Sequence, residues 1–247
     1  MTAPAGIGDR VEGLHAVAAA AAAGRVTHLI VERQRLRHDN YRSLTALAEQ
    51  RGATVQQVED AREDAITEAP QGVIATCRPI RSVSLDDAMR AADPAALVVL
   101  DRIQDPRNVG AMARTALAAG IPALVVPERR AAPVGATAFK AAAGALEVVK
   151  VAVVGSVADA LRRLRKAGVW LVGLDGAAET SLLGLPLLTE PVALVIGAEG
   201  TGVSRLAGDL LDQTVRIPMV GDIESLNASV AASLAMFEIA RVRGWIS

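Results

Sequence analysis

One polar loop, DRIQDPRNVG at residues 101–110, carries side chains that could bind a phosphate or a carboxylate. Asn108 stands where the N-cap of the following helix is predicted, and Arg114 lies about one turn into that helix. An arginine in a first turn opposes the helix dipole, so a phosphate or carboxylate partner would explain its presence. The alternative is that Asn108 is only a cap and Arg114 only a surface residue.

A second loop, GAEGTG at residues 197–202, holds a single acid, Glu199, among three glycines. Glycines directly after a buried strand let the backbone come close to a ligand. The loop lacks the Lys-Ser or Lys-Thr of a nucleotide phosphate loop, and Arg205 stands where a dinucleotide-binding pattern needs its third glycine. An ordinary glycine-rich turn with a solvated glutamate is the alternative.

A third loop, IPMVGDIESLNAS at residues 217–229, leads from an apolar strand into the last predicted helix, about Leu226 to Arg243. Ser225 and Asn227 stand at the start of that helix. Ser225 could simply be its N-cap and Asn227 a polar residue of its first turn. All three loops thus place amide, hydroxyl or carboxylate groups directly after apolar strands.

The elements between these loops predict an α/β fold. From residue 96 onward, short apolar strands such as ALVVL (96–100) alternate with helices, which is typical of a parallel sheet covered on both faces. Ligands of such sheets bind beyond the carboxyl ends of the strands, where the three loops fall. Residues 1–80 also alternate and predict a small α/β/α domain, residues 81–95 a linker, and residues 96–247 a second domain that carries the three loops.

Composition excludes several classes of protein. A net charge of -1 is unlike that of a DNA-coating protein, so any nucleic-acid contact requires a local basic patch. The single cysteine, Cys77, excludes an internal disulfide and a cysteine-rich zinc site. No metal site is expected. The apolar run 17–23 is far shorter than the roughly 20 residues that span a bilayer, so we expect a soluble, cytoplasmic protein without membrane contact.

Together the loops resemble the three signature motifs of the SpoU (TrmH-type) RNA 2′-O-methyltransferases, a family of the SPOUT superfamily. The matching stretches are LDRIQDPRNVGAMARTALAAG (100–120), LVIGAEGTGVSR (194–205) and IPMVGDIESLNASVA (217–231). Farther upstream, GLHAV (13–17) and QGVIA (71–75) look like the RNA-binding domain of one branch of the family. The chain looks most similar to members that methylate a guanosine of 23S ribosomal RNA.

The resemblance implies a parallel sheet with a deep C-terminal trefoil knot, preceded by a small α/β/α, ribosomal-protein-like RNA-binding domain. It also implies a homodimer, to which the apolar last helix could contribute, and structured RNA as the substrate. S-adenosylmethionine is the implied methyl donor, bound within the knot. The implied donor-binding residues are Gly197, Gly200, Ile217, Met219 and Leu226.

The same resemblance assigns activation of the 2′-hydroxyl to Arg114. Because a guanidinium keeps its proton at neutral pH, we expect Arg114 to clamp a phosphate and to stabilise charge on the 2′-oxygen. Asn108 could position Arg114. Glu199 could orient the guanidinium or relay the proton, and Ser225 and Asn227 would hold backbone and ribose by hydrogen bonds.

A basic cluster follows the first predicted strand and is a candidate RNA contact. Its members are Arg33, Arg35, Arg37 and Arg42, with His38 among them. The alternative is a solvated loop balanced by Glu32 and Asp39. Two other functions stay open: a tRNA ribose methyltransferase, and a non-catalytic RNA-binding protein of ribosome assembly. A nucleotide hydrolase is disfavoured because the phosphate-loop lysine is missing.

Overall fold

The structure is a computed structural model that describes residues 6–221 and 225–246. Its N-terminal sheet contains β1 (Arg10–Glu12), β2 (Val26–Glu32), β3 (Thr54–Val58) and β4 (Val73–Cys77). The strand order is β1-β4-β2-β3, with β2 parallel to β3 and antiparallel to β4. Two helices, α1 (Leu14–Ala22) and α2 (Asp39–Gln50), pack with Leu29 and Val31 of β2 in one apolar cluster.

Within the described residues, the other face of this sheet packs on a short 3-10 helix, Ala61–Asp64, whose Ala61 joins Ile30 and Ile74 in one cluster. Asp60 starts this turn, because its carboxylate accepts a hydrogen bond from the Arg62 amide at 2.9 Å.

Regular structure is present in the described residues before β2 and in the predicted linker. Ile7 pairs with Ile80, and Arg10 begins β1. Residues 1–5 lie outside the described residues. The segment 81–95 contains α3 (Leu85–Met89), capped by Ser84.

The second sheet is parallel throughout, as predicted, and follows the order β10-β8-β9-β5-β6-β7. Its strands are β5 (Ala96–Leu100), β6 (Ala123–Pro127), β7 (Lys150–Val154), β8 (Trp170–Leu174), β9 (Val192–Ile196) and β10 (Gln213–Val215). The remaining helices are α4 (Pro106–Ala118), α5 (Ala136–Ala142), α6 (Val157–Lys166), α7 (Arg205–Gly208) and α8 (Ala228–Val242).

Alternate residues of the central strands point to opposite faces of this sheet and build two cores. On one face, Val98 and Leu194 pack in one cluster with residues of α4 and α8 such as Met112 and Met236. On the other face, strand residues pack with Leu161 and Leu164 of α6, and Leu85 of α3 joins this second cluster. The carboxyl edge of the strands is left to the three polar loops. Among the described residues, no helix has both the length and the apolar character to cross a membrane.

Candidate active site

The first loop leads into α4 through Asp105, not through Asn108. The Asp105 carboxylate accepts a hydrogen bond from the Arg107 amide at 2.8 Å, and Pro106 occupies the first helical position. Aspartate and proline together form a stronger start than a later asparagine, which explains why the helix begins earlier than predicted. Asn108 is therefore buried within the first turn, and Arg114 lies in the third turn, where the dipole argument does not apply.

The second loop folds back tightly on itself after β9. Ala198 and Gly202 exchange backbone hydrogen bonds of 3.1 and 2.8 Å, and Gly200 between them has a φ of +74°. A Cβ atom on Gly197 would lie 2.0 Å from the Gly202 carbonyl carbon. Glycine is therefore required at position 197, and the loop presents Glu199 at its tip.

The third loop ends at Asn227, which is the N-cap of α8. Its Oδ1 atom accepts hydrogen bonds from the amides of Ser229 at 2.9 Å and Val230 at 3.3 Å. Ser225 therefore precedes the cap instead of forming it, and the helix begins at Ala228, two residues later than predicted. Residues 222–224 lie outside the described part of the chain.

Three of the predicted catalytic residues, one from each loop, meet in a cluster around one carboxylate oxygen. Glu199 Oε1 accepts hydrogen bonds from Asn108 Nδ2 at 2.9 Å and from Asn227 Nδ2. Asn227 Nδ2 also lies 3.3 Å from Asn108 Oδ1, and the Ala228 amide donates to Glu199 Oε1 at 3.4 Å. This Glu199 cluster fixes the three loops relative to one another.

Sequence reasoning assigned no role to Asp101, which ties the first two loops together. Its side chain is buried directly after β5, and its Oδ2 atom accepts a hydrogen bond from the Ser204 amide at 2.6 Å. The signal for this role in the sequence was an ionisable residue directly after an all-apolar strand. Because buried carboxylates need hydrogen-bond partners, such a residue often fastens a neighbouring loop.

A cleft of about 560 Å³ opens at the carboxyl ends of β8, β9 and β10. All five predicted donor-binding residues line it: Gly197, Gly200, Ile217, Met219 and Leu226. Glu199 and Ser225 also line it, as do Asp175 and Thr214, which the sequence did not single out. The volume suits a small-molecule ligand, and the mixture of apolar walls, glycine backbone and a few polar groups suits a nucleoside.

Arg114 does not line this cleft. It lies six residues after Asn108, which on an α-helix turns it by roughly 240° to another side of α4. There it is exposed and lines a separate groove with Arg107 and Lys140. Among the described residues, the Arg114 side chain forms no hydrogen bond or ion pair. The Asn108 side chain, which was expected to position Arg114, contacts Glu199 and Asn227 instead.

Acidic neighbours largely neutralise the N-terminal basic cluster. Arg33 pairs with Glu59 at 3.2 Å, Arg35 with Glu32 at 3.5 Å, and Arg42 with Asp39. Arg37 donates to the carbonyl of Gln34. For Arg35 and Arg42 the geometry therefore favours the alternative, a solvated loop whose charges are balanced by Glu32 and Asp39.

Groups that could supply metal or thiol chemistry are scarce in the described part of the chain. No three His, Cys, Asp or Glu side chains there form a group that could hold a metal ion. Burial raises the pKa of the Cys77 thiol to about 11, so the thiolate needed for nucleophilic chemistry is not formed at neutral pH.

Comparison with known proteins defines the class. Residues 95–237 match the SpoU rRNA Methylase family, and residues 10–83 match the RNA 2′-O ribose methyltransferase substrate-binding family. The chain belongs to the SpoU rRNA methylase family. It is an RNA 2′-O-methyltransferase whose methyl donor is S-adenosylmethionine.

Individual relatives agree with this class. A 23S rRNA (guanosine-2′-O-)-methyltransferase RlmB of Photobacterium profundum is 38% identical over 95% of this chain and 98% of its own. An uncharacterized tRNA/rRNA methyltransferase of Synechocystis is 39% identical, and this chain spans 63% of its length. The crystal structure of AviRb from Streptomyces viridochromogenes with AdoMet superposes with a TM-score of 0.79 at 26% identity, covering 96% of this chain and 91% of that one.

Proposed function

We propose that this enzyme methylates the ribose 2′-hydroxyl of a guanosine in 23S ribosomal RNA. The observation that carries the proposal is the Glu199 cluster, which joins Asn108, Glu199 and Asn227 at the mouth of the donor cleft. The choice of guanosine and of 23S RNA is supported by the RlmB relative, whose similarity extends over both sheets of this chain.

S-adenosylmethionine, when bound, supplies a methyl group on a sulfonium, which leaves as a neutral thioether. The residues around the cleft fit this donor. The backbone at Gly197 and Gly200 can approach closely because a Cβ is absent, and Ile217, Met219 and Leu226 offer apolar surface for the adenine. We propose that these five residues hold the donor.

The residues of the protein must then activate the ribose 2′-hydroxyl as a nucleophile and orient it toward the methyl group. Arg114 would clamp the adjacent phosphate and stabilise negative charge on the 2′-oxygen as the proton leaves. Asn108 and Asn227 hold the Glu199 carboxylate by their amides, which leaves its second oxygen to accept that proton or a ribose hydroxyl. Ser225 would hydrogen-bond the ribose or its backbone. Positioning of this kind can lower a barrier by several kcal/mol.

We propose that the chain after β10 is knotted. Support comes from the segment 175–190, which contacts both sides of the C-terminal run. It pairs with the end of β10, where the Leu182 amide donates to the Arg216 carbonyl at 2.8 Å. It also contacts α8, where the Gly184 amide donates to Glu238 at 2.6 Å. A knot in this part of the chain would require such contacts of segment 175–190 with both Arg216 and Glu238.

We propose a homodimer in which each site is completed by the partner. The outward side of α8 exposes Val230, Leu234 and Phe237 by 48, 46 and 42%. These residues recur at helical spacing, and such an apolar stripe is typical of an interface. A second copy also explains why Arg114 lies apart from the donor cleft of its own chain: it would serve the cleft of the partner.

We propose residues 1–80 as a ribosomal-protein-like RNA-binding domain, 81–95 as the connection and 96–247 as the catalytic domain. The two family matches, at 10–83 and 95–237, support this division. Within the first domain, Arg33, Arg35, Arg37 and Arg42 are proposed RNA contacts. Reversal of their charges should weaken RNA binding and flatten its salt dependence. Equal binding with an unchanged salt slope would remove them from the proposal.

The direct experiment is methyl transfer from labelled donor to bulk RNA that lacks the modification, followed by mapping of the labelled nucleotide. Label on one 23S guanosine ribose supports the proposal. Label on transfer RNA keeps the chemistry and overturns the substrate. Bound donor without label on any RNA would point to the non-catalytic RNA-binding protein.

The Arg114→Ala variant tests the proposed roles. It should abolish transfer yet bind donor as the wild type does, since Arg114 does not line the donor cleft. Mixed dimers test the composite site. Arg114→Ala and Glu199→Ala, each inactive alone, should regain activity when mixed, because one site per heterodimer is then intact. No recovery, despite heterodimer formation, would place both residues in the same chain's site.

A further inference from the structure

The groove that Arg114 lines continues beyond it toward the N-terminal sheet. The Arg114 groove has a volume of about 750 Å³ and is lined by Arg107, Arg114, Lys140, His15, Gln71 and Glu68, among others. A second hollow, lined by Arg35, His38 and Asn40, shares His15 and Gln71 with it. The two depressions therefore adjoin at His15 and Gln71, and together they are called the path.

The charge of this path suits a polyanion. Asp105 is held by Arg107 through bonds of 3.1 Å, and this ion pair raises the pKa of Arg107 and lowers that of Asp105. Lys140 donates to the backbone carbonyl of Ala69, and no carboxylate of the described residues pairs with it or with Arg114. Glu68 is the other acid on the path. Positive groups thus outnumber acids, in contrast to the balanced basic cluster.

Gln71, where the two hollows adjoin, has a strained backbone and is held by two hydrogen bonds. Gln71 has a φ of +59°, a left-handed conformation that is uncommon outside glycine. Its Oε1 atom accepts from the Leu14 amide at 3.0 Å, and its carbonyl accepts from the Tyr41 hydroxyl at 2.6 Å. Strain that surrounding bonds enforce tends to mark functional sites.

The walls of the path are also fixed relative to one another. The Arg25 guanidinium bonds Glu147 at 2.7 Å and lies 5.7 Å from the centre of the Phe139 ring. Both side chains of this pair are mostly covered, with 12 and 6% exposed, so water screens the pair only in part. A Cβ on Gly144 would lie 2.7 Å from the Ala19 Cβ, so the adjoining helices are in close contact. The groove is therefore preformed.

We infer that this path binds the RNA strand next to the target nucleotide, with Lys140 as a phosphate contact beside Arg114, and with His15 and Gln71 where the two hollows adjoin. The inference rests on the proposed ribosomal RNA substrate and names how it is held. A single strand or loop is the expected form, because its bases are unstacked and its backbone is accessible to side chains.

Lys140→Ala is the test, with Lys166→Ala as the matched control on the exposed side of α6. We expect Lys140→Ala to raise the KM for RNA about tenfold, as for one lost charge-assisted bond, with donor affinity and melting temperature unchanged. The slope of log K against log salt should fall by roughly 0.7, the value for one single-strand phosphate contact. Lys140→Arg should restore both.

The outcomes separate this inference from the proposed function. An active wild type with an unchanged Lys140→Ala variant overturns the path and leaves the enzyme's function intact. A weaker variant with an unchanged salt slope, or one that Lys140→Arg does not rescue, assigns Lys140 a structural role and also overturns it. A wild type that methylates no RNA overturns the proposed function first.

Discussion

Replacing Glu199 with Gln should slow methyl transfer while leaving the loops in place. The carboxamide keeps an oxygen for the amides of Asn108 and Asn227 but loses the negative charge that strengthens both bonds. Bonds to charged groups contribute about 1.5–3 kcal/mol and neutral ones about 0.5–1.5, so two weakened bonds amount to about 2 kcal/mol. This corresponds to a loss of roughly 30-fold in kcat/KM if the whole of it bears on the transition state.

Single-turnover methyl transfer with saturating RNA measures this loss, and calorimetric titration with the donor separates it from binding. Glu199→Ala, which removes both acceptors, should lose more activity than Glu199→Gln. Thr201→Ala changes an exposed side chain of the same loop and serves as the control. A Glu199→Gln enzyme with wild-type kcat/KM would mean that the charge of the cluster has no part in the reaction.

Three further substitutions test the packing and the electrostatics. Gly197→Ala should abolish donor binding in calorimetry, because its Cβ would lie 2.0 Å from the backbone. Gly208→Ala in the same cleft has open space around its Cβ and should bind the donor normally. Equal donor binding by the two variants would contradict this expectation. Gly110→Ala should lower the melting temperature, because its Cβ would lie 2.3 Å from the Ala138 carbonyl oxygen. This clash is expected to outweigh the preference of alanine over glycine in helices, which is about 1 kcal/mol. A higher melting temperature would show that α4 and α5 can separate. Glu12 is fully buried, and although burial raises its pKa, hydrogen bonds from Ile66 and Thr67 leave it lowered. Its stabilisation is therefore present above the unfolded pKa of about 4.3 and is lost as pH falls through the folded value. Glu12→Gln should reduce unfolding free energy at pH 7 by about 2 kcal/mol in denaturant titrations, and the difference from wild type should shrink below pH 4; a difference independent of pH would contradict this assignment.

The parallel sheet could be predicted because its signal is local. Each of its central strands is a short apolar run between helices, and such a run is typical of a parallel strand that is buried on both faces. The N-terminal sheet was harder to predict. β1 has three residues and is recognisable only through its pairing with β4, a contact between distant parts of the chain.

In the candidate site, too, features with a local signal could be predicted and contacts between distant residues could not. The five predicted donor-binding residues, all of which line the cleft, were identified through a motif, and motifs preserve spacing. The partner of Asn108 was not predictable, since its amide reaches Glu199, 91 residues along the chain, only after β5 and β9 pair. Helix starts were misplaced for a local reason: Asp105 and Asn227 compete with Asn108 and Ser225 as caps, and geometry decides between them.

Helix α4 links these observations. Asn108 on one side contacts the Glu199 cluster beside the cleft, and Arg114 on another side faces the Arg114 groove. Because both residues belong to one α-helix, the helix geometry fixes the angle between their side chains. The proposed homodimer would bring Arg114 of one chain to the cleft of the other, and the mixed dimers test that requirement directly.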